Sequence, residues 1–298
     1  MSQIFDALQK SEAERSEVDV KDLSAAELLQ AAERGVAAEY ESTRQAAAKR
    51  LVDTGKGASF LPHPEEVLQS LNEESGGERT KLPARTLEIT DKQRAELMKF
   101  VQQVFLLPGA EAPRTLVLIG TEPGNGCSWV CSRAADTLAS QVRGPICIVD
   151  ANLRSPGLHQ MFGVENHHGL SDALEATESI RGFVRPLSRQ NLWLLSCGAN
   201  ATDGDGLLSS DRVRLRLAEL RQYFKYVLID SPALSLGNEG IVLGRAAEGV
   251  LLVLKANASR RESVRKGVQE LQNAGVRILG AVLNQRTFPI PQAIYKRL

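Results

Sequence analysis

Through the last two-thirds of the chain, short apolar runs alternate with stretches of helical period. The runs are Thr115–Ile119, Ile146–Val149, Leu192–Leu195, Tyr226–Ile229, Val250–Leu254 and Ile278–Leu283. Several are apolar at consecutive positions, as expected of parallel strands covered on both faces. Helical stretches lie between them, including Ser128–Val142, Asp211–Phe224 and Arg260–Ala274. This alternation predicts a doubly wound, mostly parallel sheet with ligands at the carboxyl ends of its strands. Ahead of the first run, Thr90-Asp91-Lys92-Gln93 has the form of a capping box. Leu97, Phe100, Val101, Val104 and Phe105 then follow helical spacing.

The chain before this region reads differently. Residues 1–52 are almost free of Gly and Pro. Ser2 caps an expected short helix carrying Ile4, Phe5 and Leu8 on one face, and Ser24-Ala25-Ala26-Glu27 opens a second helix. That short apolar face reads as a partner-docking surface, because so small a helix gains little unless it is buried. Residues 53–90 carry Gly55, Gly57, Pro62, Pro64, Gly76, Gly77 and Pro83 among scattered charges, which predicts a linker with one short helix around Glu65–Leu71. The expected organisation is therefore a helical region at 1–52, a flexible linker at 53–90 and an α/β domain at 91–298.

Composition removes several functions. Charged residues form 24% of the 298 and sum to zero net charge, unlike the basic excess of a nucleic-acid-binding protein. No apolar run approaches the ~18 residues of a membrane span, and the amino terminus lacks the pattern of a signal peptide. Cys127, Cys131, Cys147 and Cys197 show no metal-ligand spacing, so they read as reduced thiols of a cytoplasmic protein.

The candidate chemistry sits at three strand ends. The first run leads into Gly120-Thr121-Glu122-Pro123-Gly124-Asn125-Gly126-Cys127-Ser128 and then a helix. Strand, Gly-rich turn and helix start form a cradle whose backbone N–H groups and helix dipole favour phosphate. A working P-loop ends in Gly-Lys-Ser/Thr, with the Lys on the terminal phosphates and the hydroxyl on Mg²⁺. Here Ser128 is present, but Cys127 occupies the Lys position. The second run ends in Asp150-Ala151-Asn152-Leu153-Arg154, and the run Tyr226–Ile229 ends in Asp230-Ser231-Pro232, a Walker B-like element.

These motifs resemble the bacterial tyrosine kinases (BY-kinases) of capsular and exopolysaccharide systems, relatives of partition and septum-positioning ATPases. The likeness runs from about Asp91 to Leu298. It includes Pro123-Gly124-x-Gly126, Asp150-x-x-x-Arg154, Pro156–Gly163, Gly169-Leu170-Ser171-Asp172, Leu207–Ser210, Asp230-Ser231-Pro232 and Leu283-Asn284. The resemblance implies a three-layer P-loop NTPase fold, with ATP or ADP and Mg²⁺ as ligands. It makes Thr121, Pro123, Gly124, Gly126, Ser128, Arg154 and Asn284 nucleotide contacts. Ser128, Asp150 and Asp230 become Mg²⁺ positions, and Asp150 and Asp230 catalytic ones. The partners it implies are a membrane polysaccharide co-polymerase, an active paralogous kinase or further copies of this chain. The implied location is the cytoplasm, with recruitment to the inner face of the membrane.

The departures touch the chemistry. The family's P-loop Lys is Cys127 and its second acidic position is Asn152. The Tyr-rich tail is absent, since Tyr295 is the one tyrosine after Tyr226, and Glu96, Lys99 and Gln102 only echo the ring-forming helix. Weak nucleotide binding and near-background turnover are therefore expected, with partner binding as the main role. Two alternatives remain open at this point. One is an active Mg-ATP-dependent kinase or ATPase borrowing Lys225 or Lys255; the other is a partition-like switch that dimerises on nucleotide. Cys127 is read as a small residue tolerated by the turn, against a low-pKa thiol at a helix start. Arg154 either grips phosphate or pairs with a carboxylate. His159, His167 and His168 are read as ordinary polar residues, and the arginines around Arg212–Arg221 and Arg260–Lys266 as solvated helix faces.

Overall fold

A computed structural model describes residues 89–106, 112–189, 191–199, 208 and 210–286, all within the second of two units into which the chain divides, Leu61–Leu298. The expected helices and linker before residue 89, Leu207, Ser209 and Tyr295 lie outside the described residues.

Helix α1 (Asp91–Val101) continues into a π-helical turn, Gln102–Leu106. Then come β1 (Thr115–Gly120), α2 (Cys127–Gln141), β2 (Ile146–Asp150), the short helices α3 (Leu158–Phe162) and α4 (Leu170–Glu175), β3 (Arg185–Pro186) and β4 (Leu192–Leu195). The chain goes on through α5 (Ser210–Tyr223), β5 (Tyr226–Asp230), α6 (Glu239–Ala246), β6 (Gly249–Lys255), α7 (Arg261–Asn273) and β7 (Ile278–Asn284). The seven strands form one sheet in the order β3-β4-β2-β5-β1-β6-β7. Every pairing is parallel except that of the two-residue β3 with β4. This is the three-layer P-loop NTPase architecture.

The consecutive apolar runs are explained by the two faces of the sheet, because successive residues of a strand point to opposite sides. Leu116, Leu118, Ile146, Ile148, Leu228, Leu251 and Val253 pack against Val101 and Phe105 and against Val130, Ala134 and Leu138 of α2. Val117, Ile119, Val149, Trp193, Val227, Ile229 and Leu252 pack on the other side against Leu217 and Leu220 of α5, Leu243 of α6 and Leu271 of α7. A strand apolar on one side only would leave one of these helical layers without a floor. The Thr90 capping box forms, Gln93 N–H donating to Thr90 Oγ1 and Thr90 N–H to Gln93 Oε1, so α1 begins where the sequence places its start. Phe105 closes edge-on over Tyr226, ring centroids 5.6 Å apart, which seats the helix on the sheet.

Not all of the basic cluster on α5 is a solvated face. Arg216 is largely buried and donates to the carbonyls of Ala173, Ala176 and Glu178 and to Glu219, ending α4 from outside. Arg221 reaches Thr115 Oγ1. Arg212 and Arg214 are exposed, as expected.

At the carboxyl end of the sheet, the loop after β4 is stitched to the start of α4. Leu170 N–H donates to Ser196 O and Ser171 N–H to Cys197 O. A Cβ on Gly169 would collide with Ser196 O and Gly198 N, both backbone atoms. Gly169→Ala is therefore expected to lower stability by about 1–3 kcal/mol, read from the urea midpoint. An unchanged midpoint would mean that these two loops part freely.

Candidate functional site

The loop after β1 turns twice through left-handed backbone, at Gly124 (φ 82°) and Gly126 (φ 83°), which side-chain-bearing residues rarely adopt. Gly126 caps α2 without any side-chain hydrogen bond, so the first N–H groups of the helix stay available to an anion. Hydrogen bonds from other parts of the fold hold the loop's shape. Asn284 Nδ2 donates to Asn125 O (3.0 Å), and a Cβ on Gly126 would collide with that same amide. Ser235 N–H donates to Thr121 O. The buried Asn125 side chain donates to Val253 O (3.0 Å) and Ser259 Oγ (3.2 Å), tying the loop to β6 and the turn beyond it. Pro123 and Gly124 face solvent at the tip.

Asp150 and Asp230 are register partners on adjacent parallel strands, and both are fully buried. Such neighbours lie about 4.8 Å apart on the same face, so two carboxylates share one apolar site. Burial first, and then the charge of Asp150, raise Asp230 to about 7; burial likewise raises Asp150 to about 6. Asp150 is partly compensated, since Oδ2 accepts from Gly157 and Leu158 N–H (both 3.0 Å) and Oδ1 from Asn152 N–H (3.3 Å). It thereby shapes the 151–158 loop and caps α3, a structural task alongside any catalytic one. The Ser128 hydroxyl and Cys127 thiol offset part of the rise at Asp230, but neither Oδ1 nor Oδ2 receives a well-formed hydrogen bond.

Cys127 is the first residue of α2 and keeps some solvent contact. Its sulfur is nonetheless packed closely enough that burial, followed by the Asp230 charge, pushes the thiol well above its ordinary range. The lowered-pKa thiolate weighed from the helix-start position is thus overturned. A helix dipole falls off within one turn, and here desolvation and a neighbouring carboxylate outweigh it. Cys127 presents a neutral S–H where a P-loop presents an ammonium.

Asn152 sits in the turn after β2, its Oδ1 accepting from Ser155 N–H (3.3 Å). Arg154 donates from Nε (2.8 Å) and Nη2 (2.6 Å) to Glu239 Oε1, forming a carboxylate pair. His167 lies beside Glu165 on the surface, and burial lowers His159 from its ordinary range; among the described residues no group of three or more His, Cys, Asp or Glu is placed to hold a metal ion. Sequence reasoning missed Asn125 and Glu239. Asn125 is the unspecified residue of the Pro123-Gly124-x-Gly126 turn, and Glu239 lies 85 residues from Arg154 with no local signal linking them.

The two borrowed-lysine candidates separate cleanly. Lys225 precedes β5 at the amino end of the sheet, its N–H bonded to Pro145 O and its ammonium 5.6 Å from the Tyr226 ring centroid. A five-residue strand spans about 16 Å, so Lys225 cannot serve a site at the opposite end. Lys255 ends β6, two residues beyond the register partner of Gly120, at the cradle's own end. For a magnesium nucleotide the fit is uneven. The backbone of Thr121–Ser128 suits phosphates, and Ser128, Asp150 and Asp230 are oxygen donors suited to Mg²⁺. The cradle loop itself supplies no cation.

No family model matches the chain. The tyrosine-protein kinase Etk of Escherichia coli (strain K12) is 29% identical over 169 residues, 57% of this chain and 23% of Etk. The chain thus spans under a quarter of that relative's length. The tyrosine-protein kinase YwqD of Bacillus subtilis is 26% identical over 57% of this chain and 72% of its own. Among solved structures, the VpsO kinase domain superposes with a TM-score of 0.59 at 27% identity, covering 66% of this chain and 98% of that one. The BceF tyrosine kinase domain gives 0.57 at 27%, covering 75% and 90%. With a P-loop cradle, paired strand-end carboxylates and this sheet order, the chain has the P-loop NTPase fold and is similar in sequence and structure to BY-kinase domains.

Proposed function

We propose that the chain is a catalytically weakened BY-kinase-like protein of exopolysaccharide or capsule assembly, acting mainly by binding partners. The observation that supports this reading is Cys127. A neutral thiol packed against Asp230 replaces the one cation a P-loop places on the terminal phosphates. A charge-assisted hydrogen bond contributes roughly 1.5–3 kcal/mol, and a missing transition-state donor commonly lowers rate by about 10²–10³. Asn152 removes a carboxylate from the same site. Weak Mg-ATP or Mg-ADP binding through the cradle backbone, Ser128, Asp150 and Asp230 is compatible with both losses.

The partners proposed are a membrane polysaccharide co-polymerase or an active paralogous kinase, with a homo-oligomer as a further form. The protein would be cytoplasmic and recruited to the inner face of the membrane. No described helix is long and apolar enough to cross a membrane, and the recruitment proposed here runs through a partner. Residues 1–52, followed by a linker at 53–90, are the proposed docking arm, and 91–298 the P-loop domain. One observation favours a second reading, an active enzyme with a displaced lysine: Lys255 stands at the correct end of the sheet.

Steady-state hydrolysis of Mg-ATP by the full chain tests the proposal. Turnover far below about 1 s⁻¹ is expected. A rate at or above that value defeats the weakened reading and directs attention to Lys255. Pull-down with the Phe5→Asp, Leu8→Asp double variant tests the docking arm, and undiminished partner recovery would count against it.

A further inference from the structure

Three loops frame the phosphate cradle: Gly120–Ser128 after β1, Asp150–Leu158 after β2 and Asp230–Glu239 after β5. Across all three the sequence carries a single cationic side chain, Arg154. With cysteine in the P-loop lysine position, Arg154 is the one charge these loops can offer an anion. The structure directs it elsewhere. Arg154 Nε and Nη2 both donate to Oε1 of Glu239, the first residue of α6. Glu239 is nine-tenths buried, and its second oxygen, Oε2, has no hydrogen-bond partner among the described residues. The pair is therefore lopsided: two donors crowd one oxygen and leave the other bare in a buried place.

Glu239 is also tied to the cradle. The segment leading to it bonds the P-loop through Ser235 N–H and Thr121 O, and the next residue, Gly240, lies against Ile119 and Ser231. Gly237 makes room for the pair. A Cβ there would collide with Glu239 Oε2 and stand 3.2 Å from Arg154 Nη2. Its backbone is extended (φ 162°), a conformation any residue adopts, so the glycine serves space and not a turn.

We infer that Glu239 is a positioning residue that latches Arg154 to α6 and withholds it from the phosphate loop, so that opening this pair tightens binding of a nucleoside triphosphate. The inference rests on the reading of the loop as a nucleotide site. Removing Arg154 from a buried carboxylate is costly, which keeps the latch shut in the resting protein. Once free, a guanidinium binds phosphate oxygens through paired donors.

The test is calorimetric titration of the full chain with Mg-ATP and with Mg-ADP. Two variants open the latch by different routes. Glu239→Gln removes the charge that holds Arg154. Gly237→Ala leaves both partners in place and displaces the flexible end of Glu239 with a methyl group. Each is expected to bind Mg-ATP about tenfold tighter than the parent, with a smaller gain for Mg-ADP. Adding Arg154→Gln to either variant should remove the gain, which a merely structural role for Glu239 would not produce. Circular dichroism confirms folding, and Gly237→Ala carries the test if Glu239→Gln does not fold. Parent binding with no gain in a folded variant, or a gain that survives Arg154→Gln, overturns the latch alone. No binding by any of the proteins overturns the nucleotide reading and the latch with it.

Discussion

Cys127→Lys is expected to tighten Mg-ATP about tenfold or more, and to tighten ATP more than ADP. The new ammonium enters at the first turn of α2, where the cysteine sulfur now lies against a carboxylate that lacks a well-formed hydrogen bond. It meets Asp230 on one side and a terminal phosphate on the other, so the buried acid gains its missing counter-charge. Asn152→Asp alone should do little, since it adds negative charge near phosphates with no cation to offset it. The double variant should hydrolyse ATP faster than the sum of the single gains, as neighbours in one site couple. Affinity and turnover of all four proteins decide the matter. A folded double variant that binds ATP no better than the parent would show that these two positions do not account for the loss.

Stability should fall as pH rises from about 5 to about 8 in magnesium-free buffer. Unfolded aspartate titrates near 3.9, whereas folded Asp150 and Asp230 titrate at about 6 and about 7. Between these limits the folded chain binds more protons than the unfolded one, so the unfolding free energy decreases with pH. The contribution is fully present below about pH 4 and lost by the time the upper carboxyl has ionised. A tenfold difference in proton affinity between folded and unfolded chain corresponds to about 1.4 kcal/mol. The total is therefore on the order of several kcal/mol, shared by a pair that titrates jointly. Burial lowers the imidazole of His159, which acts in the opposite sense, but that residue is only partly enclosed and weighs less. Thermal melts at pH 5, 6, 7 and 8 provide the measurement. Cys127→Lys should flatten the profile, because a nearby ammonium favours both ionised carboxylates. A parent melting temperature that rises steadily over this range would contradict the buried-pair account.

The strands were legible in the sequence because a parallel sheet covered on both faces demands apolar residues at consecutive positions. The Thr115, Ile146, Tyr226 and Ile278 runs each extend one residue further in the structure than their apolar patterns predict. The reason is the same for all four: β1 ends on Gly120, β2 on Asp150, β5 on Asp230 and β7 on Asn284, residues whose side chains are polar or absent but whose backbone still pairs. Those added ends also frame the candidate site. Hydrophobic pattern alone therefore stops one residue short of the chemistry.

The sequence by itself determined the sheet, the cradle and the identity of Cys127 and Asn152, because these follow from local pattern and from side-chain chemistry at known spacing. Only the tertiary structure decided what surrounds them. Register placed Asp150 beside Asp230, and burial raised both carboxyls above their ordinary range. Strand direction removed Lys225 from contention and left Lys255 at the cradle's end. Packing of α6 against the loop after β2 gave Arg154 to Glu239. Each of these depends on residues far apart in the chain, where no period or motif carries a signal and where desolvation and distance, set by the fold, determine the energy.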